Sequence, residues 1–280
     1  MDKNRPETVI GNKSFTAVAV NCAAKAGEYI KMKQGTTGQP DFKYSRQDLV
    51  TEADKGSERL IRNLIATHFP GHSFLGEEGV EPGPEASAAA LREAMDAEYL
   101  WIVDPIDGTT NFVHGFPFFA VSIALARKGQ VIVGVVYDPV RDELFVAERG
   151  KGAYLRGKRL KVSAERTLGE SLLATGNPAD PAMLRLNVHE ASALVYKSRN
   201  LRVCGSAALH LAYVAAGRLS GFWEHGLNAW DVAAGSLLVE EAGGHVSAMN
   251  GEPFDLRVRD VAASNGLIHE DLLAALREVE

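Results

Sequence analysis

At 280 residues, with 46% hydrophobic and 24% charged residues, the chain has the balance of a globular protein able to bury a sizeable core. Its formal net charge of −6 argues against a nucleic-acid binder, which carries a basic face, and requires any anionic ligand to find local positive charge in Arg, Lys or bound cations. Two cysteines without CxxC spacing (Cys22 and Cys204), a polar stretch at 1–11 and no apolar run reaching the ~18 residues of a membrane helix argue against a disulfide framework, a signal peptide and a membrane span; a reducing, cytoplasmic location is expected.

Apolar residues at Phe15, Val18, Cys22, Ala26, Tyr29 and Ile30 recur with helical spacing behind Ser14, a suitable N-cap, and predict a first helix that ends before the Gly/Thr/Pro-rich loop at 34–41. A second helix starts near Ala53, carries Leu60, Ile61, Leu64 and Ile65 on one face, and stops at Pro70-Gly71. A Pro/Gly/Glu-rich surface loop at 81–87 precedes an Ala-rich helix at 88–97. The period then changes. The run 99–103 predicts a buried strand ending abruptly at Asp104-Pro105, and strands follow at 119–127, 131–138 and 143–148. Gly150 and Gly152 fall in a strand-and-turn meander, which is no setting for a dinucleotide fingerprint. In the second half, strands at 172–175, 201–203, 221–224, 245–248 and 261–264 alternate with helices at 181–197, 206–216, 231–242 and 270–279. The expected fold is α/β in the broad sense (mixed α+β). It is a single unit, 1–280, with an α+β first half, 1–165, and an α/β second half, 166–280.

The most informative segment is Asp104-Pro-Ile-Asp-Gly-Thr-Thr-Asn-Phe112. A buried strand delivers Asp104 at its carboxyl end, where open sheets place their ligands, and a tight turn can bring Asp107 into the same small volume. Gly108 permits an unusual backbone angle, and a helix starting at Thr109 would aim free N–H groups at that volume. Taken alone, the segment is also simply a good turn. Acids recur at three other element boundaries: Glu77 and Glu78 after 73–75, Asp54 near a helix start, and Asp231 after Trp230, where singly it reads as an N-cap. Jointly they read as a hard-metal site, because clustered carboxylates repel unless they hold cations, and oxygen-only ligands select magnesium, manganese or calcium over zinc. The segment lacks the spacing of a calcium loop, and the chain has no Walker, HExxH or GxSxG motif. Bound divalent cations would supply the missing positive charge, and phosphoryl transfer needs little else beyond positioning and charge neutralisation.

In Gly76-Glu77-Glu78, in Asp104-Pro-Ile-Asp-Gly-Thr-Thr-Asn-Phe112, and in Trp230-Asp-Val-Ala-Ala-Gly235 running on to Glu241-Ala-Gly-Gly244, the chain resembles the inositol monophosphatase family. The likeness extends from the first helix to Ala263-Ser-Asn265. It implies a layered αβαβα sandwich of the sugar-phosphatase type with mixed sheets. The activity implied is that of a Mg2+-dependent phosphoric monoester hydrolase converting inositol monophosphate to inositol and phosphate. Two or three Mg2+ ions, with Mn2+ as a substitute, would be held by Glu77, Asp104, the carbonyl of Ile106, Asp107 and Asp231. The water nucleophile would be activated with Thr109 and Glu77, and Asp54 would hydrogen-bond the Thr109 hydroxyl. The Gly108 and Thr109 amides would receive the phosphate, and polyol hydroxyls would meet Asp107, Gly205, Ser206, Ala207, Glu224 and Asp231. Lys43 is expected near a third metal or as a solvated lysine, and Arg202 beside the Gly205 turn. His225 and Asn228 stand as sugar contacts or as ordinary loop residues. The resemblance further implies lithium sensitivity and a homodimer. The same chemistry on fructose 1,6-bisphosphate, histidinol phosphate or a 3′-phosphoadenosine nucleotide is the nearest alternative, and Glu224 favours the polyol because a carboxylate repels a second phosphate. A regulatory partner of RNA polymerase or the ribosome is the alternative from another class. The expected partner is a small phosphorylated polyol, with neither membrane nor nucleic acid.

Overall fold

Residues 14–35, 40–43 and 49–279 are described in the computed structural model of the chain. The expected polar stretch at 1–11, residues 36–39 of the 34–41 loop and Asp48 lie outside them. Helix α1 (Phe15–Lys33) begins where the Ser14 hydroxyl accepts the Ala17 N–H at 3.1 Å. A two-strand ribbon, β1 (Asp41–Phe42) and β2 (Leu49–Val50), leads into α2 (Glu52–His68). Next come β3 (Ser73–Gly76) and α3 (Pro84–Ala94). This helix starts inside the stretch expected to be loop, because Pro84 takes the first helical position, where its missing N–H leaves nothing unsatisfied.

A long meander then runs through β4 (Tyr99–Asp107), β5 (Ala120–Arg127), β6 (Gln130–Asp138), β7 (Glu143–Glu148), β8 (Gly152–Leu155) and β9 (Lys158–Arg159), with the short helix α4 (Thr109–His114) between β4 and β5. With β3 parallel to β4 and every other neighbour antiparallel, these strands form a seven-stranded sheet. The second half contributes β10 (Leu172–Thr175), α5 (Pro181–Lys197), β11 (Asn200–Val203), α6 (Ala207–Ala215), β12 (Gly221–Glu224), α7 (Ala229–Glu241), β13 (His245–Ala248), β14 (Val261–Ser264) and α8 (His269–Arg277). Its sheet is mixed, in the order β11-β10-β12-β14-β13.

The apolar clusters place the layers. Ala19, Cys22 and Ala26 of α1 and Ile61 and Ile65 of α2 pack with Trp101, Ile123 and Val135 on one face of the larger sheet. On its other face α6 and α7 fill the space between the sheets, joining Ile102, Ala124 and Val136 to Ala174, Phe222 and Ala263. Leu194 of α5 and Leu272 of α8 cover the outer face of the smaller sheet through Leu173, Trp223 and Ala262. The result is the expected αβαβα sandwich. Lying between two sheets, α7 is apolar on almost every side and shows no polar stripe. It sits so close to β6 that a Cβ on Gly134 would meet the Ala234 carbonyl oxygen at 2.6 Å.

One buried group in this middle layer is mismatched. Neither ring nitrogen of His210 has a hydrogen-bond partner among the described residues, and the ring packs between Phe118 and Phe222 with centroids 5.3 and 5.2 Å away. Burial lowers its pKa from the ordinary 6.5 to about 3. An unfolded histidine takes a proton near 6.5 while the folded ring refuses it, so His210 withdraws stability as pH falls below that point. His210→Leu removes the unpaired N–H and is expected to stabilise the protein by about 1–3 kcal/mol, with a larger gain at pH 5 than at pH 8. Urea unfolding at the two pH values reads this directly; a loss of stability at both would mean that the ring's packing outweighs its unpaired nitrogens.

Candidate active site

β4 carries Asp104 into the interior at 2% exposure, and its Oδ1 accepts the Ile106 N–H at 2.9 Å. The strand continues past the expected break at Pro105, but its register against β5 slips between Asp104 and Asp107. That slip re-aims the chain, the usual effect of a bulge beside a functional site. Asp107 then faces the second half of the molecule, where its Oδ2 accepts the Ser206 hydroxyl at 2.5 Å and the Ala208 N–H at 2.7 Å at the start of α6. Gly108 follows at φ +97°, and a Cβ there would stand 3.0 Å from the Gly205 oxygen and 3.1 Å from the Phe118 oxygen. Only glycine fits this junction. Asn111 fastens it, donating to the carbonyls of Phe118 at 2.6 Å and Cys204 at 2.7 Å.

Asp54 and Asp231 occupy equivalent places on different helices. Asp54 is the third residue of α2, and its Oδ2 accepts both the N–H (2.8 Å) and the hydroxyl (2.6 Å) of the N-cap Thr51. Asp231 is the third residue of α7, and its Oδ2 accepts the N–H of the N-cap Asn228 at 2.6 Å. The sequence reading of Asp231 as the cap itself is thus corrected, because an acid three residues into a helix reaches back to the cap just as well. In both cases one carboxylate oxygen secures the helix start. The other Asp54 oxygen, Oδ1, lies 3.0 Å from the Thr109 hydroxyl, which is also 3.0 Å from the Ile106 carbonyl. Glu77 begins a single 3-10 turn, Glu77–Gly79, directly after β3.

Lys43 is no solvated lysine. Its side chain is 12% exposed, and its ammonium donates to Glu77 at 2.8 Å and Glu78 at 2.5 Å. Burial works against its charge, but those two carboxylates reverse the effect and raise its pKa. Glu224 ends β12 at 9% exposure. A Cβ on Gly176 would come within 2.0 Å of the Glu224 carboxylate, so Gly176 makes the room that this side chain occupies.

A cavity of about 840 Å³ opens here. Glu77, Asp107, Gly108, Thr109, Glu224 and Asp231 line it together with Gly205, Ser206 and Ala207, whereas Asp104, Ile106 and Asp54 are not part of its lining. Arg202 stays outside as well, exposed and donating to the neighbouring Leu201 carbonyl. His225, just past the end of β12, is buried outside the cavity and touches Glu190 and Asp260. Asn111, Asn177 and Gly176 were not singled out in the sequence as site residues. Asn111 could have been, from its place inside the Asp104 segment; Gly176 carries no local signal, because the side chain it makes room for lies far along the chain.

The electrostatics are those of acids crowded beyond what the nearby cations offset. Burial, and then the charges of Glu77, Asp107 and Asp231, push the Asp104 pKa well above the carboxylate range. Burial likewise leads the rise of Asp107 to about 6 and of Glu78 to about 7, with Glu77 adding to both. Asp231 and Glu224 rise for the same reasons. Among the described residues no three acidic, histidine or cysteine side chains are already drawn around one point as a finished ligand shell. Several oxygens are committed instead to protein donors: Glu77 to Lys43, Asp107 to Ser206 and Ala208, Asp231 to Asn228. The facing acids, together with the Ile106 carbonyl, still suit a hard divalent cation in kind. They offer oxygen ligands, buried or half-buried and mutually repelling, with Lys43 meeting Glu77 at one end and Arg259 and His225 acting on Asp231 and Glu224 at the other.

Known proteins resemble this chain along nearly its whole length. A sequence profile described as the inositol monophosphatase family matches residues 12–280. A protein named inositol monophosphatase 3 from Solanum lycopersicum is 45% identical over 269 residues, covering 95% of this chain and 97% of its own. A protein named Nus factor SuhB from Pseudomonas aeruginosa is 42% identical, covering 93% of this chain and 94% of its own. The solved structure of an inositol monophosphatase from Anabaena (Nostoc) sp. PCC 7120 superposes with a TM-score of 0.82 at 40% identity, covering 95% of this chain and 96% of that one.

Carboxylate crowding predicts an inverted response to mutation. In the presence of chelator, Asp104→Asn removes the cost of burying or protonating that acid beside its neighbours and is expected to raise Tm, at roughly 2–4 °C for each kcal/mol gained in a chain of this size. With excess Mg2+ the parent should gain Tm and the variant much less. A thermal melt series across Mg2+ concentrations checks both; a variant less stable than the parent in chelator would remove repulsion as the governing term.

Proposed function

We propose that this chain, which belongs to the inositol monophosphatase family and is a phosphoric monoester hydrolase, hydrolyses inositol monophosphate to inositol and phosphate using two or three bound Mg2+ ions. The observation that carries the proposal is the meeting of Glu77, Asp107, Thr109, Glu224 and Asp231 in one cavity, with Asp104 buried among the same charges. Glu77, Asp104, the Ile106 carbonyl, Asp107 and Asp231 would hold the ions, with Mn2+ as a substitute. When bound, such ions neutralise phosphate oxygens and make a water acidic enough to attack.

The remaining work falls to the chain. The Gly108 and Thr109 amides, at the start of α4, would seat the phosphate, and the positive φ of Gly108 supports this by turning the backbone into the cavity wall. The Thr109 hydroxyl has an acceptor in Asp54 at 3.0 Å, which leaves its oxygen lone pairs free to accept a proton from the attacking water. Burial, opposed by Thr51 and reinforced by Glu77, raises the Asp54 pKa and makes it the better proton acceptor behind Thr109. Glu77 provides a second acceptor on the cavity side. Glu224 would take hydrogen bonds from vicinal polyol hydroxyls, with Asp107 and the 205–207 wall completing the contact. A second phosphate beside Glu224 would meet Asp107 and Asp231 as well, which disfavours a bisphosphate or nucleotide substrate. No helix among the described residues is long and apolar enough to cross a membrane. We place the enzyme in the cytoplasm, as a lithium-sensitive homodimer.

Thr109→Ala should lower kcat by about 10²-fold or more while the Mg2+-induced rise in Tm is retained. Phosphate release from inositol monophosphate should stop in chelator, and fructose 1,6-bisphosphate, histidinol phosphate and 3′-phosphoadenosine 5′-phosphate should turn over far more slowly than the inositol ester. A near-normal rate for Thr109→Ala removes that hydroxyl from the reaction, and faster turnover of any competing ester reassigns the substrate.

A further inference from the structure

The cavity wall at Glu224 is held from behind by a histidine that never enters the cavity. Successive residues of a strand point to opposite faces, so Glu224 faces the cavity while Trp223 faces α5, and His225, the first residue past the end of β12, turns toward α5 as well. Both meet the same carboxylate there. Glu190, 1% exposed in the middle of α5, accepts the Trp223 indole N–H at 2.9 Å and lies 2.9 and 3.0 Å from His225 Nε2. The other ring nitrogen, Nδ1, lies 3.3 Å from Asp260. A neutral imidazole donates from one nitrogen only and would turn a lone pair on one of these carboxylates, so the geometry calls for the doubly protonated ring. Burial opposes that charge, and the Asp260 and Glu190 carboxylates overcome it, raising the His225 pKa to about 9.

Three further bonds fix the same segment. The Gly226 N–H reaches Asp260 at 3.0 Å, Arg259 donates to the Gly226 carbonyl at 2.7 Å, and the Leu227 N–H reaches the Arg259 carbonyl at 2.8 Å. Arg259 also donates to Asn228, the cap of α7, at 2.7 Å. The stretch between Glu224 and Asp231 is therefore pinned to the chain before β14, and the imidazolium is the pin nearest Glu224. It is also a positive charge one residue from a carboxylate otherwise surrounded by Asp107 and Asp231.

We propose that His225, clamped between Glu190 and Asp260, is a positioning residue that holds Glu224 in the orientation needed to receive polyol hydroxyls and so sets selectivity for the alcohol part of the substrate. The inference rests on the polyol reading of Glu224 given above. It places the effect on substrate binding, away from the phosphate seat and the metal ligands.

The test compares KM for inositol monophosphate with the inhibition constant of inorganic phosphate, which lacks the hydroxyls that Glu224 would meet. His225→Gln should raise KM about tenfold, the loss of roughly one hydrogen bond to a charged group, with kcat and the phosphate inhibition constant within about twofold of the parent. Glu190→Gln keeps an acceptor for Trp223 but removes the charge facing the imidazole, and it should move KM in the same direction by a smaller factor. Should His225→Gln fail to fold, Glu190→Gln carries the test alone. In a Glu224→Ala background, His225→Gln should add nothing to the KM already lost. If Glu224→Ala leaves KM unchanged, the polyol reading itself fails. If Glu224→Ala raises KM while His225→Gln or Glu190→Gln lowers only Tm, or shifts KM and the phosphate constant together, the positioning role is overturned and the polyol reading stands.

Discussion

The repulsion among buried carboxylates is the constraint to which the rest of this structure answers. Asp104 and Asp107 on β4, Glu77 after β3 and Asp231 on α7 come from three separate elements, and Glu77, Asp107 and Asp231 each raise the proton affinity of Asp104. A fold that merely minimised its own energy would keep them apart. Here two sheets and the helices between them hold the acids in place. Asp104 is on a strand paired on both sides, Asp231 is on a helix sealed between sheets, and Asp107 is bound to the start of α6. Lys43 meets part of the accumulated negative charge at Glu77 and Glu78. On the proposed reading, a bound divalent cation would meet far more of it and would let an acidic protein bind an anionic ester.

The fold divides its tasks between helix ends and strand ends. Asp54 and Asp231 both serve as the third residue of a helix, one oxygen holding the cap, while the other Asp54 oxygen receives the Thr109 hydroxyl and Asp231 lines the cavity. This dual use fixes the side chain with a bond that the helix needs in any case, so little rotamer freedom remains to be lost when a ligand arrives. The strand ends supply the remainder: Asp104 and Asp107 across a register slip, and Glu224 at the last residue of β12. Neither half completes the cavity alone, since Gly108 of the first half and Gly205 of the second meet within it.

Much of this was legible in the sequence, for identifiable reasons. The elements at 172–175, 181–197, 221–224, 245–248 and 261–264 coincide with the reading because apolar runs there are short and their ends are marked by Pro, Gly or Asp. The Asp104 segment stood out because an apolar strand running straight into Asp-Pro has few structural uses. What stayed hidden depends on distance along the chain. Lys43 looks like any surface lysine until Glu77, 34 residues on, is folded against it. The Asn228 cap was masked by Asp231, which satisfies the same sequence preference three residues later. The start of α3 was missed because proline reads as a breaker unless it lands on the first turn, and Arg202 looked functional from its place beside Gly205 when its side chain in fact turns back on its own strand.

The tight seat of α7 on β6 bears on how such an enzyme can diversify. A single methyl group at Gly134 would strike the Ala234 backbone, and a helix enclosed by two sheets can relieve that only by moving as a body. Asp231 lies less than one turn away on the same rod and would travel with it. A position that touches no ligand therefore tolerates no variation, while the Asn177–Pro178 side of the cavity is built from loop and is free to change. New substrate preferences would accumulate on that rim, and the buried helix would remain the invariant axis of the scaffold.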